Sequence, residues 1–131
     1  HTLSDGDIAA ALWAARPEGN YDMLLGIGAA PEGVITATAI RGIGGVFEGR
    51  LVFRSDAEEA RAANMIDDDL TRLWSARDLC QSEDAVFVAS GVCDGYLPGV
   101  KINQDGTIGT FAEMIDVASR KITRHDRIHN Q

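Results

Sequence analysis

The chain has 131 residues, 45% of them hydrophobic and 24% charged, with a formal net charge of −8 at pH 7. That is the composition of one globular domain, or part of a larger one, and it excludes wholesale disorder. Pro31-Glu32 and Arg41 break the longest apolar stretches well short of the ~18–20 residues of a spanning helix, so no membrane helix is expected, and no signal peptide is read. A pI near 4.7 argues against a nucleic-acid partner, which needs a basic surface, but allows a local site for a small anion. Cys80 and Cys93 are too few for a disulfide scaffold and too far apart for a zinc knuckle. They read as two reduced thiols of a cytoplasmic protein.

No repeat, low-complexity tract or linker divides the chain, so one compact unit is expected. Ser4 or Asp5 can cap a first helix over residues 8–14, with Asp7 adding negative charge to its first turn. Pro17-Glu18-Gly19-Asn20 ends it. Residues 21–27 (YDMLLGI) read as a short buried strand, and Gly28-Ala29-Ala30 as a turn. Pro31 suits the first position of a helix, which should cover residues 34–43 and close at Gly44-Gly45 despite the β-branched run VITATAI. Next come a strand over 46–53, a polar helix over 56–65 capped by Ser55 or Asp56, helical turns over 69–74 and 75–80, and a buried strand over 84–91. After Gly95 the pattern changes to closely spaced strands over 100–103, 107–117 and 121–129, turned at Gln104-Asp105-Gly106 and Ala118-Ser119. Alternation first and hairpins later predict an α/β fold: a mixed sheet with helices packed on it and antiparallel strands at the C-terminal end.

The segment richest in chemistry is Gly26-Ile27-Gly28-Ala29-Ala30-Pro31-Glu32-Gly33. Between a strand and a helix, such a turn presents backbone N–H groups to an anion at the ligand edge of an α/β sheet. It is neither a dinucleotide fingerprint, since Pro31 stands where the third glycine belongs, nor a P-loop, since Gly33 is followed by Val34-Ile35. Glu32 either complements the helix dipole or ligates a hard cation such as Mg²⁺ or Mn²⁺. Asp5 and Asp7 either cap and charge a helix start or accept hydrogen bonds from substrate hydroxyls.

Other candidates carry less. His125 and His129 share a strand, where their spacing is roughly 13 Å and too long for one ion. Asp67-Asp68-Asp69 reads as a solvated helix start, Ser90 lacks the frame of a nucleophile elbow, and Trp13, Trp74 and Tyr96 read as packing residues.

Asp5-Gly6-Asp7 followed by Gly26-Ile27-Gly28-Ala29-Ala30-Pro31-Glu32-Gly33 resembles the D-G-D-[VI]-A and G-I-G-G-A-P-E-G segments of the bacterial class II fructose-1,6-bisphosphatases. Ala39-Ile40-Arg41-Gly42-Ile43-Gly44-Gly45 resembles the family's A-x-R-x-L-G-G, and Glu48-Gly49-Arg50-Leu51 its Q-G-R-L. Asp78-Leu79 with Phe87-Val88-Ala89-Ser90-Gly91-Val92, then Asp94-Gly95, Leu97, Gly99-Val100 and the closing Arg120, Ile122 and Ile128-His129, continue the likeness. It covers essentially the whole chain but only the family's C-terminal portion, so residues 1–131 are expected to be a single domain of a sugar bisphosphatase, with residues 1–4 the end of a preceding strand.

The resemblance implies metal-assisted hydrolysis of the 1-phosphate of fructose 1,6-bisphosphate, with Mn²⁺ or Mg²⁺ as cofactor. Glu32 would be a metal ligand, Asp5 and Asp7 would contact the sugar, and Ala29 would contact substrate through its backbone. Most of the metal-binding acids, the catalytic lysine and the arginines for the distal phosphate would lie upstream, so no catalytic residue is assigned here. A sugar bisphosphate is the expected partner, with no nucleic acid or membrane, and a homo-oligomer is expected. Ala29 replaces a glycine, Cys93-Asp94-Gly95-Tyr96 replaces T-D-G-D, and Thr110-Phe111-Ala112-Glu113-Met114 replaces a T-T-H/E-S-L-type strand. An alanine at 29 could obstruct substrate or require a positive φ. These departures leave a shifted substrate or weakened activity open. The alternatives are a non-catalytic relative of the same fold and a phosphatase for another substrate, such as sedoheptulose 1,7-bisphosphate or another phosphorylated polyol.

Overall fold

In the computed structural model, which describes residues 6–130, the first helix, α1, spans Asp7–Ala15. Its N-cap is Gly6 in the left-handed conformation (φ 84°), with no side-chain cap. The sequence expects a cap from Ser4 or Asp5. Both of those residues, and the strand end expected at 1–4, lie outside the described residues. Asp7 sits in the first turn as expected, and Ala10, Ala11 and Leu12 are buried.

Residues 21–27 do not form the expected strand. They run as irregular chain, with Met23, Leu25 and Ile27 68%, 81% and 71% exposed. An apolar run becomes a strand only where a neighbour takes up its N–H and C=O groups. No strand pairs with it among the described residues.

The second helix, α2, spans Ala30–Ile43 and so starts earlier than expected, with Pro31 in its first turn. Its β-branched residues cost only a few tenths of a kcal/mol each in a helix. Burial of Thr36, Ala39 and Ile40 outweighs that cost, and these residues with Ile43 follow the spacing of one helical face. Gly44 ends the helix in a left-handed cap at φ 87°, its N–H reaching Ile40 O at 2.9 Å.

The strand expected over 46–53 shrinks to β1, Glu48–Gly49, paired antiparallel with β2, Trp74–Ser75. Between them, α3 spans Asp56–Met65 and is capped by Ser55, whose side chain accepts from Glu58 N. The helical turn expected over 69–74 is instead an Asp69 turn, with Thr71 N and Oγ1 on Asp69 Oδ1 at 2.8 and 2.7 Å. The next turn is helical: α4, Ala76–Leu79, opens on a capping box between Ser75 and Asp78.

Hydrogen bonds from Ser75 Oγ and then Ser75 N, followed by Arg72, hold the Asp78 carboxyl down at about 2. A depressed folded-state pKa contributes stability above the unfolded value and loses it as pH falls through the folded one. The α4 cap is therefore expected to persist at neutral pH and to be lost between about pH 4 and about pH 2. The check is the Ser75 amide shift followed by NMR on acidification. A Ser75 amide that titrates with an unperturbed carboxylate midpoint would contradict it.

The remaining strands are β3 (Val86–Ser90), β4 (Lys101–Ile102), β5 (Ile108–Asp116) and β6 (Ile122–His129). β5 is the centre of the sheet. β6 runs along one side from Ile108↔His129 to Ile115↔Ile122. The other side is shared by β4 at Ile108 and Gly109 and β3 at Ala112 to Asp116. All these pairings are antiparallel, so the expected C-terminal hairpins are present. The His125 and His129 residues lie on β6, opposite Ala112 and Ile108.

One face of this sheet carries the helices. Leu12 of α1, Ala39 of α2, Phe87 of β3 and Ile115 of β5 form the core, flanked by Ile8, Ile43, Ala89 and Tyr96. Full burial of a Leu or Ile side chain contributes about 1.5–3 kcal/mol. α2 lies so close to the sheet that a Cβ on Gly42 would stand 2.3 Å from Ile115 Cγ2. Trp13 and Tyr96 pack edge to face at 5.6 Å, and Trp74 lies under the Arg72 guanidinium at 4.6 Å, in keeping with their reading as packing residues. No helix among the described residues is long and apolar enough to cross a membrane. Both cysteines are free, Cys80 buried and Cys93 exposed.

Candidate active site

The start of α2 is built to leave backbone donors open. Gly33 N makes the first intrahelical bond, to Ala29 O at 3.2 Å, and no side chain caps the helix. Pro31 has no N–H, so the amides of Ala30 and Glu32 are the donors without an intrahelical acceptor. They point out of the positive end of the helix dipole, where an anion is stabilised.

Ala29 is the N-cap residue, at φ −79° and ψ 159°. That is ordinary extended backbone, so alanine is accommodated there without the positive φ that would have favoured glycine. Its exposed position leaves its backbone accessible.

Glu32 occupies the first turn of α2, exposed, and its side chain makes no hydrogen bond or ion pair among the described residues. The pairing of α1 with α2 brings a second acid close: a Cβ at Gly28 would lie 3.9 Å from Asp7 Oδ2. Asp7 and Gly28 thus meet, both exposed, where the loop leads through Ala29 into the turn of α2 that bears Glu32. Asp5, the remaining expected substrate contact, lies outside the described residues. No group of three or more His, Cys, Asp or Glu residues capable of holding a metal ion occurs among the described residues. In donor type Glu32 fits a hard cation, and in number it supplies one carboxylate toward the several oxygens such an ion takes.

A second constellation went unnoticed in the sequence. Glu113, on β5, is fully buried. Its Oε1 accepts from Arg16 Nη2 at 2.6 Å and from the Tyr96 hydroxyl, and Arg124 Nε approaches Oε2 at 3.4 Å. The Arg16 guanidinium also lies 5.3 Å from the centre of the Tyr96 ring. Burial first, then the bond to Glu113, pushes the Tyr96 hydroxyl above its ordinary range, so it stays a donor. The cluster ties the end of α1 to the 91–99 loop and to β5, and so fixes the helix that carries Asp7. The signal for it was in the strand: Glu113 has the same inward parity as Ile115, and an acid at an inward position needs a partner.

The 91–99 loop is closed by glycine at close quarters, since a Cβ on Gly91 would meet Pro98 O at 1.9 Å. Asp94, in the segment compared with T-D-G-D, accepts from Gly99 N at 2.8 Å and holds this loop.

The start of α2 therefore combines an exposed, uncapped helix N-terminus, the glycine loop that enters it, Glu32 in its first turn and Asp7 against Gly28. The family model for bacterial fructose-1,6-bisphosphatase, glpX-encoded, matches residues 1–129, and the chain belongs to that family. Over 97% of its length it is 35% identical to a D-fructose 1,6-bisphosphatase class 2/sedoheptulose 1,7-bisphosphatase of Synechococcus sp. (strain RCC307), of which it covers 42%. Relatives with the same description in Acaryochloris marina (strain MBIC 11017; numbered 1 there) and Thermosynechococcus vestitus (strain NIES-2133 / IAM M-273 / BP-1) are 34% and 36% identical, also over 97% of this chain. The chain covers 40% of each. It therefore spans about two fifths of the length of these curated relatives.

Proposed function

We propose that this chain is the C-terminal, substrate- and metal-facing portion of a class II fructose-1,6-bisphosphatase that hydrolyses the 1-phosphate of fructose 1,6-bisphosphate to fructose 6-phosphate and inorganic phosphate. The observation that carries the reading is the corner where Asp7 meets Gly28 at the mouth of α2, beside Glu32, in a chain of this family. The open amides of Ala30 and Glu32 would orient a phosphate, and the Asp7 carboxylate would accept from sugar hydroxyls. Glu32 would supply one oxygen ligand to Mn²⁺ or Mg²⁺. When bound, such an ion supplies Lewis-acid polarisation of phosphoryl oxygen and an acidified water. Asp5 is proposed as a further sugar contact, and the backbone of Ala29 as a substrate contact. We place the protein in the cytoplasm, as a homo-oligomer.

The test is phosphate release by the whole protein, supplied with Mn²⁺ or Mg²⁺, from fructose 1,6-bisphosphate, sedoheptulose 1,7-bisphosphate and phosphorylated polyols. Release from fructose 1,6-bisphosphate that stops on chelation of the metal is expected. The 131-residue chain alone is expected to release phosphate negligibly, because one metal-binding carboxylate does not hold a catalytic ion. No release by the whole protein from any of these substrates would favour a non-catalytic relative of the same fold.

A further inference from the structure

The far end of α2 carries a cluster of arginines around an open cavity. A cavity of about 480 Å³ opens between the C-terminal turn of α2, the start of α4 and the β5–β6 turn, with Arg41, Gly44, Phe47, Arg77, Glu83 and Arg120 on its walls. Its volume lies within the range of small-molecule sites, roughly 300–1,000 Å³. Three arginines and one glutamate line it, in a chain whose net charge is −8.

The arginines are held differently, and that difference sets the chemistry. Arg41 is fixed: Nη1 donates to Cys80 O and, at 2.9 Å, to Ser82 O, while Nη2 lies 3.0 Å from Glu83 Oε1. Arg77 Nη2 reaches the same Glu83 oxygen at 2.6 Å, so a single carboxylate serves two cations. Arg120 makes no hydrogen bond or ion pair among the described residues, and its Nη1 would lie 3.7 Å from a Cβ on Gly44. It holds a left-handed backbone (φ 55°) in the β5–β6 turn, a position where glycine is the easier residue. The turn itself accounts for that backbone, and the negative end of α2 favours a cation nearby. Neither accounts for two cations beyond the one that Glu83 neutralises.

We propose that this cavity binds a small phosphate-bearing anion, separate from the corner at Glu32. Guanidinium groups are the favoured partners of phosphate because their fixed fork donates two hydrogen bonds at once. Arg41 supplies a pre-set wall, while Arg77 and Arg120 supply exposed donors that close on the ligand. The inference does not depend on the phosphatase reading.

The test uses inorganic phosphate and the whole purified protein, freed of divalent metal. Phenylglyoxal is allowed to modify exposed arginines with and without phosphate at matched ionic strength, and the sites are mapped by peptide mass. Phosphate is expected to slow modification of Arg77 and Arg120 several-fold and to leave Arg54 and Arg61, which are exposed outside the cavity, unchanged. In calorimetry, Arg77→Glu/Arg120→Glu is expected to weaken phosphate binding about tenfold or more. Both residues are exposed, so the fold should survive, and an unchanged circular dichroism spectrum checks it. Equal modification with and without phosphate, protection of all arginines alike, or binding that survives the double substitution would each overturn the proposal. Because the readout is arginine protection and not turnover, it holds or fails separately from any test of the Glu32 site.

Discussion

Glu32→Gln in the whole protein is expected to lower kcat by about two orders of magnitude or more while barely moving the melting temperature. The substitution keeps the size of the side chain and removes a hard anionic ligand. Glu32 is exposed and makes no hydrogen bond or ion pair among the described residues. Its structural value is therefore limited to the charge it places in the first turn of α2, worth about 0.3–1 kcal/mol. A metal-ligating role predicts a loss of kcat partly recovered at higher Mn²⁺. The measurement pairs kcat across a metal titration with a thermal melt of the same variant. Unchanged kcat with a slightly lower melting temperature would reduce Glu32 to a helix-dipole partner and remove the main link between this corner and phosphatase chemistry.

Glu113→Ala is expected to cost about 3–5 kcal/mol of folding stability. The total for a domain is about 5–15 kcal/mol, so the change removes much of it. The loss comes from what remains: Arg16, itself buried, loses its carboxylate at 2.6 Å and keeps only the exposed Glu18 at 3.6 Å, and the Tyr96 hydroxyl loses its acceptor. Replacing both members by apolar residues, as in Arg16→Met/Glu113→Leu, should recover a large part of the stability, because no unpaired charge is then buried. Urea midpoints of the single and double variants decide this. A single variant within about 1 kcal/mol of the parent, the range of exposed pairs, would mean that water reaches the cluster.

Much of the architecture was legible because it rests on local chemistry. Ser55 before an acidic, Ala-rich run announced α3, and its side chain does accept from Glu58 N. The turn at Asn103–Gly106 was readable from Asp105 and Gly106: Asp105 Oδ1 takes Thr107 N and Oγ1, and Gly106 turns at φ 84°. Turn residues on either side, at Gln104-Asp105-Gly106 and Ala118-Ser119, bounded the run that forms β5, with Glu113 and Ile115 among its buried positions. The candidate corner was legible for a related reason. Glycines before Pro31-Glu32 mark a loop entering a helix, and Asp7 marks the start of another, both within short windows of sequence.

Non-local partners decided what could not be read. Residues 21–27 have the composition of a buried strand, yet Leu25 is 81% exposed, because a strand is completed by hydrogen bonds from another segment. Residues 46–53 kept only the two-residue pairing with Trp74–Ser75 for the same reason.

The amino-acid sequence by itself determined the Ser55 cap of α3, the glycine turns at Gly44 and Gly106 and the glycine loop with its acid, since each is carried by residues near one another in the chain, and the family to which the chain belongs, since its motifs follow in order along nearly the whole chain. Only the tertiary structure decided that Asp7 meets Gly28, that Glu113 on β5 closes on Arg16 at the end of α1, and that Arg41, Arg77 and Arg120 converge on one cavity. Those contacts join residues far apart in sequence. They form only because packing of α1 and α2 on the β3–β5 face places side chains in reach of partners that no local periodicity identifies.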